Sequence, residues 1–229
     1  MLIRLCDKTQ PLDAGSGEEL GLAPGKIVGI GVNYRAHAAE MGKTAPDEPI
    51  LFLKPPTAVI GNGQAIVRPS GYDRVDYEGE LAVVIGARCR RVSSDLALDC
   101  VLGITCLNDV TVRDLQDLDG QWARAKGFDT FCPMGPRLVR GLDPTDLQIT
   151  TRVNGKVRQD SRTSDMIVSV PELISFVSRS MTLEVGDVIT TGTPSGVGNL
   201  SPGDVVEIEI EGVGVLENPV VADEPGAPS

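Results

Sequence analysis

Between residues 75 and 86 the chain reads Val-Asp-Tyr-Glu-Gly-Glu-Leu-Ala-Val-Val-Ile-Gly, two glutamates two apart that run straight into an unbroken apolar stretch. Leu81 to Ile85 has the character of a buried strand, and residues two apart in a strand project from the same face. Glu78 and Glu80 therefore point the same way, at the mouth of an apolar sheet. Two carboxylates so placed repel each other unless one holds a proton or a cation lies between them. The pair reads as half of a divalent-metal site.

A chain of 229 residues is long enough to bury a substantial core. No linker or internal repeat divides it. Residues 1–24 read as a short N-terminal strand and connection, 25–221 as one domain and 222–229 as a disordered tail. The net charge of −11 argues against nucleic acid or an anionic membrane surface as partner, so an anionic substrate must be met by local positive charge. The five cysteines are odd in number and contain no Cys-x-x-Cys, which points to small core residues of a reducing compartment rather than disulfides or a thiolate zinc site. The N-terminus lacks a signal-peptide profile, and no apolar run approaches the roughly 20 residues that span a bilayer. A cytoplasmic protein is the expectation.

The remaining pattern predicts strands over Leu2–Cys6, Lys26–Val32, Ile50–Leu53, Val101–Leu107, Leu147–Val153, Val157–Gln159, Asp187–Thr191 and Val205–Glu211, with turns at Gly61–Gly63 and Asn154–Gly155. Helices are expected over Asn33–Gly42, with Asn33 as N-cap and Gly42 as stop signal, around Leu96–Asp99, over Val110–Gln116, and over Val170–Arg179 with Pro171 in the first turn. The polar, proline-rich stretch 43–50 reads as a loop able to close over a ligand. Many strands, Gly/Pro turns and few short helices indicate a β-rich α+β fold or an all-β roll, not a doubly wound sheet.

Two glycine-rich stretches fail as nucleotide motifs. Gly29-Ile-Gly31-Val-Asn-Tyr34 places tyrosine where a dinucleotide fingerprint needs its third glycine, and Gly192 to Gly198 lacks the Gly-Lys-Ser/Thr ending of a phosphate loop. Other residues carry more. His37 is the single histidine of the chain, and Glu40 lies one helical turn further on the same face. Histidine suits general-base work near neutral pH. Arg113 and Gln116 share a helix face, and Asp109 follows a buried strand. Taken one at a time, each has a commoner structural reading: Glu-x-Glu a solvated edge, Asp109 a helix cap, His37–Glu40 a surface pair, Arg113 and Lys126 solvated charges.

In order along the chain stand Asn33-Tyr-x-x-His37-x-x-Glu40, Phe52-Leu-Lys54-Pro55, Tyr77-Glu78-x-Glu80-Leu-Ala, Asn108-Asp109-x-Thr-x-Arg113-Asp-x-Gln116, Lys126-x-Phe128, Val153-Asn154-Gly155 and Thr191-Gly192-Thr193-Pro194. From about Ile27 to Val220 this series resembles the fumarylacetoacetate hydrolase family, and in particular its small acylpyruvase-like and oxaloacetate decarboxylase-like members. The resemblance implies a mixed β-roll with a few short helices and a homodimer. It implies Glu78, Glu80 and Asp109 as ligands of Mg²⁺, with Mn²⁺ or Ca²⁺ as substitutes. An all-oxygen donor set agrees, since it selects hard cations over zinc. Three carboxylates against a divalent ion leave one surplus negative charge, for Lys126 to offset.

The resemblance further implies that His37 and Glu40 activate water, and that Lys126, Arg113 and Gln116 bind substrate oxygens and stabilise a developing enolate or oxyanion. It places Thr193 on a substrate carboxylate and Tyr34 in the pocket lining. The implied reaction is hydrolysis of a C–C bond in a 3-acylpyruvate or related 2,4-dioxo acid. The alternative uses the same enolate-stabilising site as an oxaloacetate decarboxylase or tautomerase, or as a hydroxymuconate-type isomerase or decarboxylase. The partner in either case is a small 2-oxo acid, and selection of its far end is expected from Lys43–Pro49, Met41 and residues after Lys126.

Overall fold

The computed structural model describes residues 1–8, 17–42, 44 and 46–223. The tail from residue 224, and Lys43 and Ala45 of the proposed loop, lie outside the described residues. The chain begins with β1 (Leu2–Asp7), β2 (Glu18–Gly21), β3 (Ile27–Gly31), helix α1 (Arg35–Glu40) and β4 (Ile50–Lys54). Short strands β5 (Val59–Ile60) and β6 (Ile66–Arg68) flank the glycine turn, followed by β7 (Val75–Tyr77), β8 (Gly79–Ile85) and β9 (Val101–Asn108). Next come β10 (Thr111–Val112), α2 (Arg113–Asp119), α3 (Ala123–Lys126), β11 (Cys132–Arg140), β12 (Gln148–Val153) and β13 (Lys156–Arg162). Helix α4 (Val170–Ser180), β14 (Val188–Thr190), β15 (Gly198–Asn199), β16 (Val205–Ile210) and β17 (Gly214–Ala222) complete the order.

Among the described residues these strands form a nine-stranded mixed sheet ordered β2-β1-β11-β9-β8-β14-β3-β4 with β5 beside β11, a five-stranded sheet β13-β12-β16-β17-β6, and a three-stranded sheet β10-β7-β15. The architecture is the β-rich α+β roll. β8 explains its own apolar run. It lies between β9 and β14, with all its residues buried. Leu81, Val83 and Ile85 enter a core with Ile149 of β12, Ile208 of β16 and Leu173, Ile174 and Val177 of α4, while Ala82 and Val84 face a second core with Met134, Leu138 and Val188. A strand covered on both faces has no polar face to alternate. At its first residue β12 passes so close that a Cβ on Gly79 would stand 2.1 Å from Thr151 Oγ1.

Most local expectations hold. Asn154 and Gly155 adopt φ of 52° and 72°, the left-handed pair of a tight two-residue hairpin between β12 and β13. α4 starts as predicted, with Pro171 in its first turn and a capping box between Ser169 and Glu172. Four points differ. The strand β2, Glu-Glu-Leu-Gly, shows no alternation and lies in the stretch expected as connection. Asn33 does not cap α1: the N-cap position is Tyr34, with no side-chain cap bond, and the Asn33 amide is engaged elsewhere. The helix expected from Val110 begins at Arg113, since Thr111 and Val112 pair as β10 with Asp76 and Val75 of β7. Ala123–Lys126 forms a short helix that was not foreseen. The five cysteines are buried and none is in a disulfide, and no helix among the described residues is long and apolar enough to cross a membrane.

Candidate metal centre and active site

The junction of β7, β8 and the end of β9 gathers the carboxylates. Glu78 lies between β7 and β8, Glu80 is the second residue of β8, and Asp109 follows β9, whose Asn108 sits opposite Gly79 in the ladder. All three are buried, and one oxygen from each lies within 4.8 Å of the others. Asp109 is a member of this cluster and no helix cap, because the helix starts four residues later.

Each carboxylate is held from outside the cluster. Glu80 accepts from Thr190 Oγ1 and, at 2.8 Å, from the Gly192 N–H. Lys126 Nζ donates to Glu78 Oε2 at 2.6 Å and to Asp109 Oδ2 at 2.5 Å. Arg113 donates from Nη2 to Glu78, from Nε to Asp76 Oδ2 at 2.9 Å, and from Nη1 to Gln116 Oε1 at 2.8 Å. Two members of this network have no role assigned from the sequence. Lys54, 1% exposed at the end of β4, donates to Asp109 Oδ1 at 2.6 Å. Asp76, fully buried, receives Arg113 and Arg74.

The charges fall into an ordered pattern. Burial alone would raise the Glu78 pKa, but Arg113 and then Lys126 outweigh it and hold the carboxyl well below the usual range. Glu80 has no cation of its own, so burial first, then the charges of Asp109 and Glu78, push its pKa well up. Burial would lower the Lys126 pKa, yet Asp109 and Glu78 raise it. The ionised state of Glu80 is thus costly as the cluster stands, and a divalent cation among the three carboxylates would offset that cost. Oxygen-only donors at this separation fit a hard divalent ion.

A cleft opens onto this cluster, lined on its polar side by His37, Glu78, Glu80, Arg113, Gln116, Lys126 and Thr193. Its apolar side includes Met41, Phe52 and Trp122. His37 Nδ1 lies 3.2 Å from Glu40 Oε2, and Glu40 in turn accepts from the Gly196 N–H at 3.0 Å. Thr193 reaches the cleft, but its hydroxyl donates to Gly79 O at 2.9 Å and accepts from Gln159 Nε2 at 2.8 Å. Tyr34 stands outside the lining residues, packed at 1% exposure in the core with Val28, Leu81 and Met166. Burial, followed by the charges of Glu80 and Asp165, raises its pKa.

Comparison with known proteins agrees with this geometry. Residues 26–221 match the family model described as fumarylacetoacetate (FAA) hydrolase, C-terminal. The chain is 47% identical over 207 residues to oxaloacetate tautomerase YisK of Bacillus subtilis, covering 85% of this chain and 69% of that protein. It superposes with a TM-score of 0.84 and 48% identity on 5-carboxymethyl-2-hydroxymuconate delta-isomerase from Mycobacterium smegmatis, covering 91% of this chain and 87% of that one. Fumarylpyruvate hydrolase from Pseudomonas aeruginosa, solved in complex with Mn²⁺ and pyruvate, gives a TM-score of 0.86 at 32% identity over 97% of both chains. The ordered motifs, the β-roll that brings them to one cleft and the match over nearly the whole described chain agree: the chain belongs to the fumarylacetoacetate hydrolase family.

Proposed function

We propose that this chain is a Mg²⁺-dependent hydrolase that cleaves the C3–C4 bond of a 3-acylpyruvate or related 2,4-dioxo acid. The observation that carries the reading is the His37–Glu40 pair, which brings a base into the cleft formed by the carboxylate cluster. Glu78, Glu80 and Asp109 would hold the ion, with Mn²⁺ or Ca²⁺ as substitutes. Once bound, the ion supplies Lewis-acid polarisation of the 2-oxo acid end and offsets negative charge developing there.

With Glu40 on Nδ1, the His37 Nε2 atom is the one left to take a proton from water. The resulting hydroxide adds to the C4 carbonyl. As the C3–C4 bond breaks, its electron pair passes to the three-carbon fragment as the enolate of pyruvate, which gains a proton at C3, and the acyl group departs as a carboxylic acid. Arg113 and Lys126 are buried cations at the cleft wall, placed to stabilise the negative charge formed on oxygen. Gln116 orients the substrate, Thr193 forms part of the wall with its hydroxyl proton held by Gly79 O, and Met41, on the apolar side, meets its far end.

His37→Ala is the test. Release of acetate and pyruvate from acetylpyruvate should fall about 10²- to 10⁴-fold, the usual contribution of a positioned general base. Unchanged cleavage with intact Mn²⁺ binding would refute the mechanism. The 47% identity to an oxaloacetate tautomerase favours a second reading, in which the same donors stabilise an enolate without attack by water. Incubation with oxaloacetate and with acetylpyruvate, scoring CO₂ or enol–keto exchange against acetate, separates the two. A homodimer is proposed with either reading, and light scattering that returns the mass of one chain would reject it.

A further inference from the structure

The turn that leads from β3 into α1 is strained. Val32 has φ of +59°, an outlier for a β-branched side chain. Such a conformation persists only where its surroundings over-determine it. The neighbouring Asn33 is 2% exposed, and its side-chain amide is fully bonded. Its Nδ2 donates to Val168 O at 3.0 Å and to Thr191 O at 2.8 Å, and its Oδ1 accepts from the Val168 N–H at 2.9 Å. Its main-chain carbonyl also accepts from the Ile167 N–H at 2.8 Å.

Thr191 stands between Thr190 and Gly192, the two residues that bond Glu80. A Cβ on Gly192, whose φ is +91°, would come within 2.8 Å of Asn33 Cβ. Four residues further on, Gly196 N–H bonds Glu40. The segment 190–196 therefore grips Glu80, the entry of α1 and the exit of α1. Asn33 is the side chain through which the entry is tied.

We propose that Asn33 is a positioning residue for His37: by holding Val32 in the left-handed turn it fixes the direction in which α1 enters, and with it the place of the imidazole relative to the carboxylate cluster. The proposal rests on His37 as the base of the hydrolysis proposed above. Without the Asn33 bonds, Val32 relaxes to negative φ and α1 swings away from segment 190–196. A side chain that merely satisfied the Val168 and Thr191 backbone groups would have no such link to residue 32.

A double-mutant cycle between Asn33→Ala and Val32→Gly tests the link, because glycine adopts the left-handed turn without strain. Two measurements are made on each protein with Mg²⁺ present: kcat and KM with acetylpyruvate, and the ring resonances of the single histidine by NMR. Asn33→Ala should move or broaden the His37 resonances and lower kcat about 10- to 100-fold with little change in KM, as misplacement of a reacting group does. In the Val32→Gly background the same substitution should cost much less. Equal losses in both backgrounds, or unchanged His37 resonances in Asn33→Ala, would overturn the proposal. Should Asn33→Ala fail to fold, Asn33→Asp removes the two donated bonds, keeps the accepted one and is read in the same way. A wild-type protein inactive toward acetylpyruvate would sink the hydrolase reading alone, since the resonances still report whether Asn33 and Val32 act together on α1.

Discussion

Glu80 and Lys54 show how individual charges are settled inside this protein. Glu80 is bonded by a hydroxyl and an amide but faces two other carboxylates. Glu80→Gln keeps an oxygen for Thr190 and Gly192 while removing one negative charge, so the metal-free variant should melt no lower than wild type. It should lose most of the rise in melting temperature that Mn²⁺ gives the wild type, a rise worth about 2.7 kcal/mol at 100 times Kd. An equal rise in the variant would remove Glu80 from the ligand set. Lys54 answers Asp109 in a dry environment, and breaking a buried pair by removing one partner costs about 3–5 kcal/mol, less here because Lys126 remains on the other Asp109 oxygen. Lys54→Met should therefore destabilise the metal-free protein by about 2 kcal/mol. In denaturant titrations the loss should shrink when Mn²⁺ takes over the charge of Asp109. That these three carboxylates meet was legible from the sequence because Glu78 and Glu80 stand together and Asp109 falls in a recognisable order. The role of Lys54 was not, although a lysine closing the run Ile50-Leu-Phe-Leu53 was a visible signal, because the carboxylate that requires it is 55 residues away.

Elements were readable where their signals are local. The start of α4 is written in Ser169-Val-Pro-Glu172: the Ser169 N–H and hydroxyl both bond Glu172 Oε2, which lowers the Glu172 pKa through the hydroxyl first and the backbone second. Ser169→Ala should cost about 1 kcal/mol at neutral pH. A depressed folded-state pKa contributes stability above the ordinary glutamate pKa and loses it as pH falls through the folded value. The deficit of Ser169→Ala against wild type should accordingly narrow in acid, and a deficit independent of pH between 7 and 3 would contradict the capping role. The starts of α1 and α2 depart from their sequence signals for a different reason. Asn33 has the chemistry of a cap, but its amide is claimed by carbonyls at residues 168 and 191. Thr111 and Val112 continue a helical register in the sequence, yet as β-branched residues they fit the strand that β7 offers them.

At the scale of the molecule, the cluster is rooted in the strand buried on both faces, which keeps Glu80 in register with Leu107 of β9 and close to Thr190 of β14. The apolar run that announced β8 was plain in the sequence. Its neighbours were not, because β14 inserts between β8 and β3, joining stretches more than a hundred residues apart. One aromatic residue of the cleft gives this architecture a direct optical readout. Trp122 is the single tryptophan of the chain, its ring centroid 5.4 Å from that of Phe52 on the apolar wall. The tryptophan fluorescence of the whole protein is therefore emission from the cleft. Pyruvate added with Mg²⁺ should shift that emission to shorter wavelength as water leaves the indole, with a titration midpoint equal to the Kd. An emission spectrum unmoved by saturating ligand would take Trp122 off the cleft wall. The protein thus carries an intrinsic chromophore on the wall of the proposed site, and occupancy can be followed without a coupled assay or an attached dye.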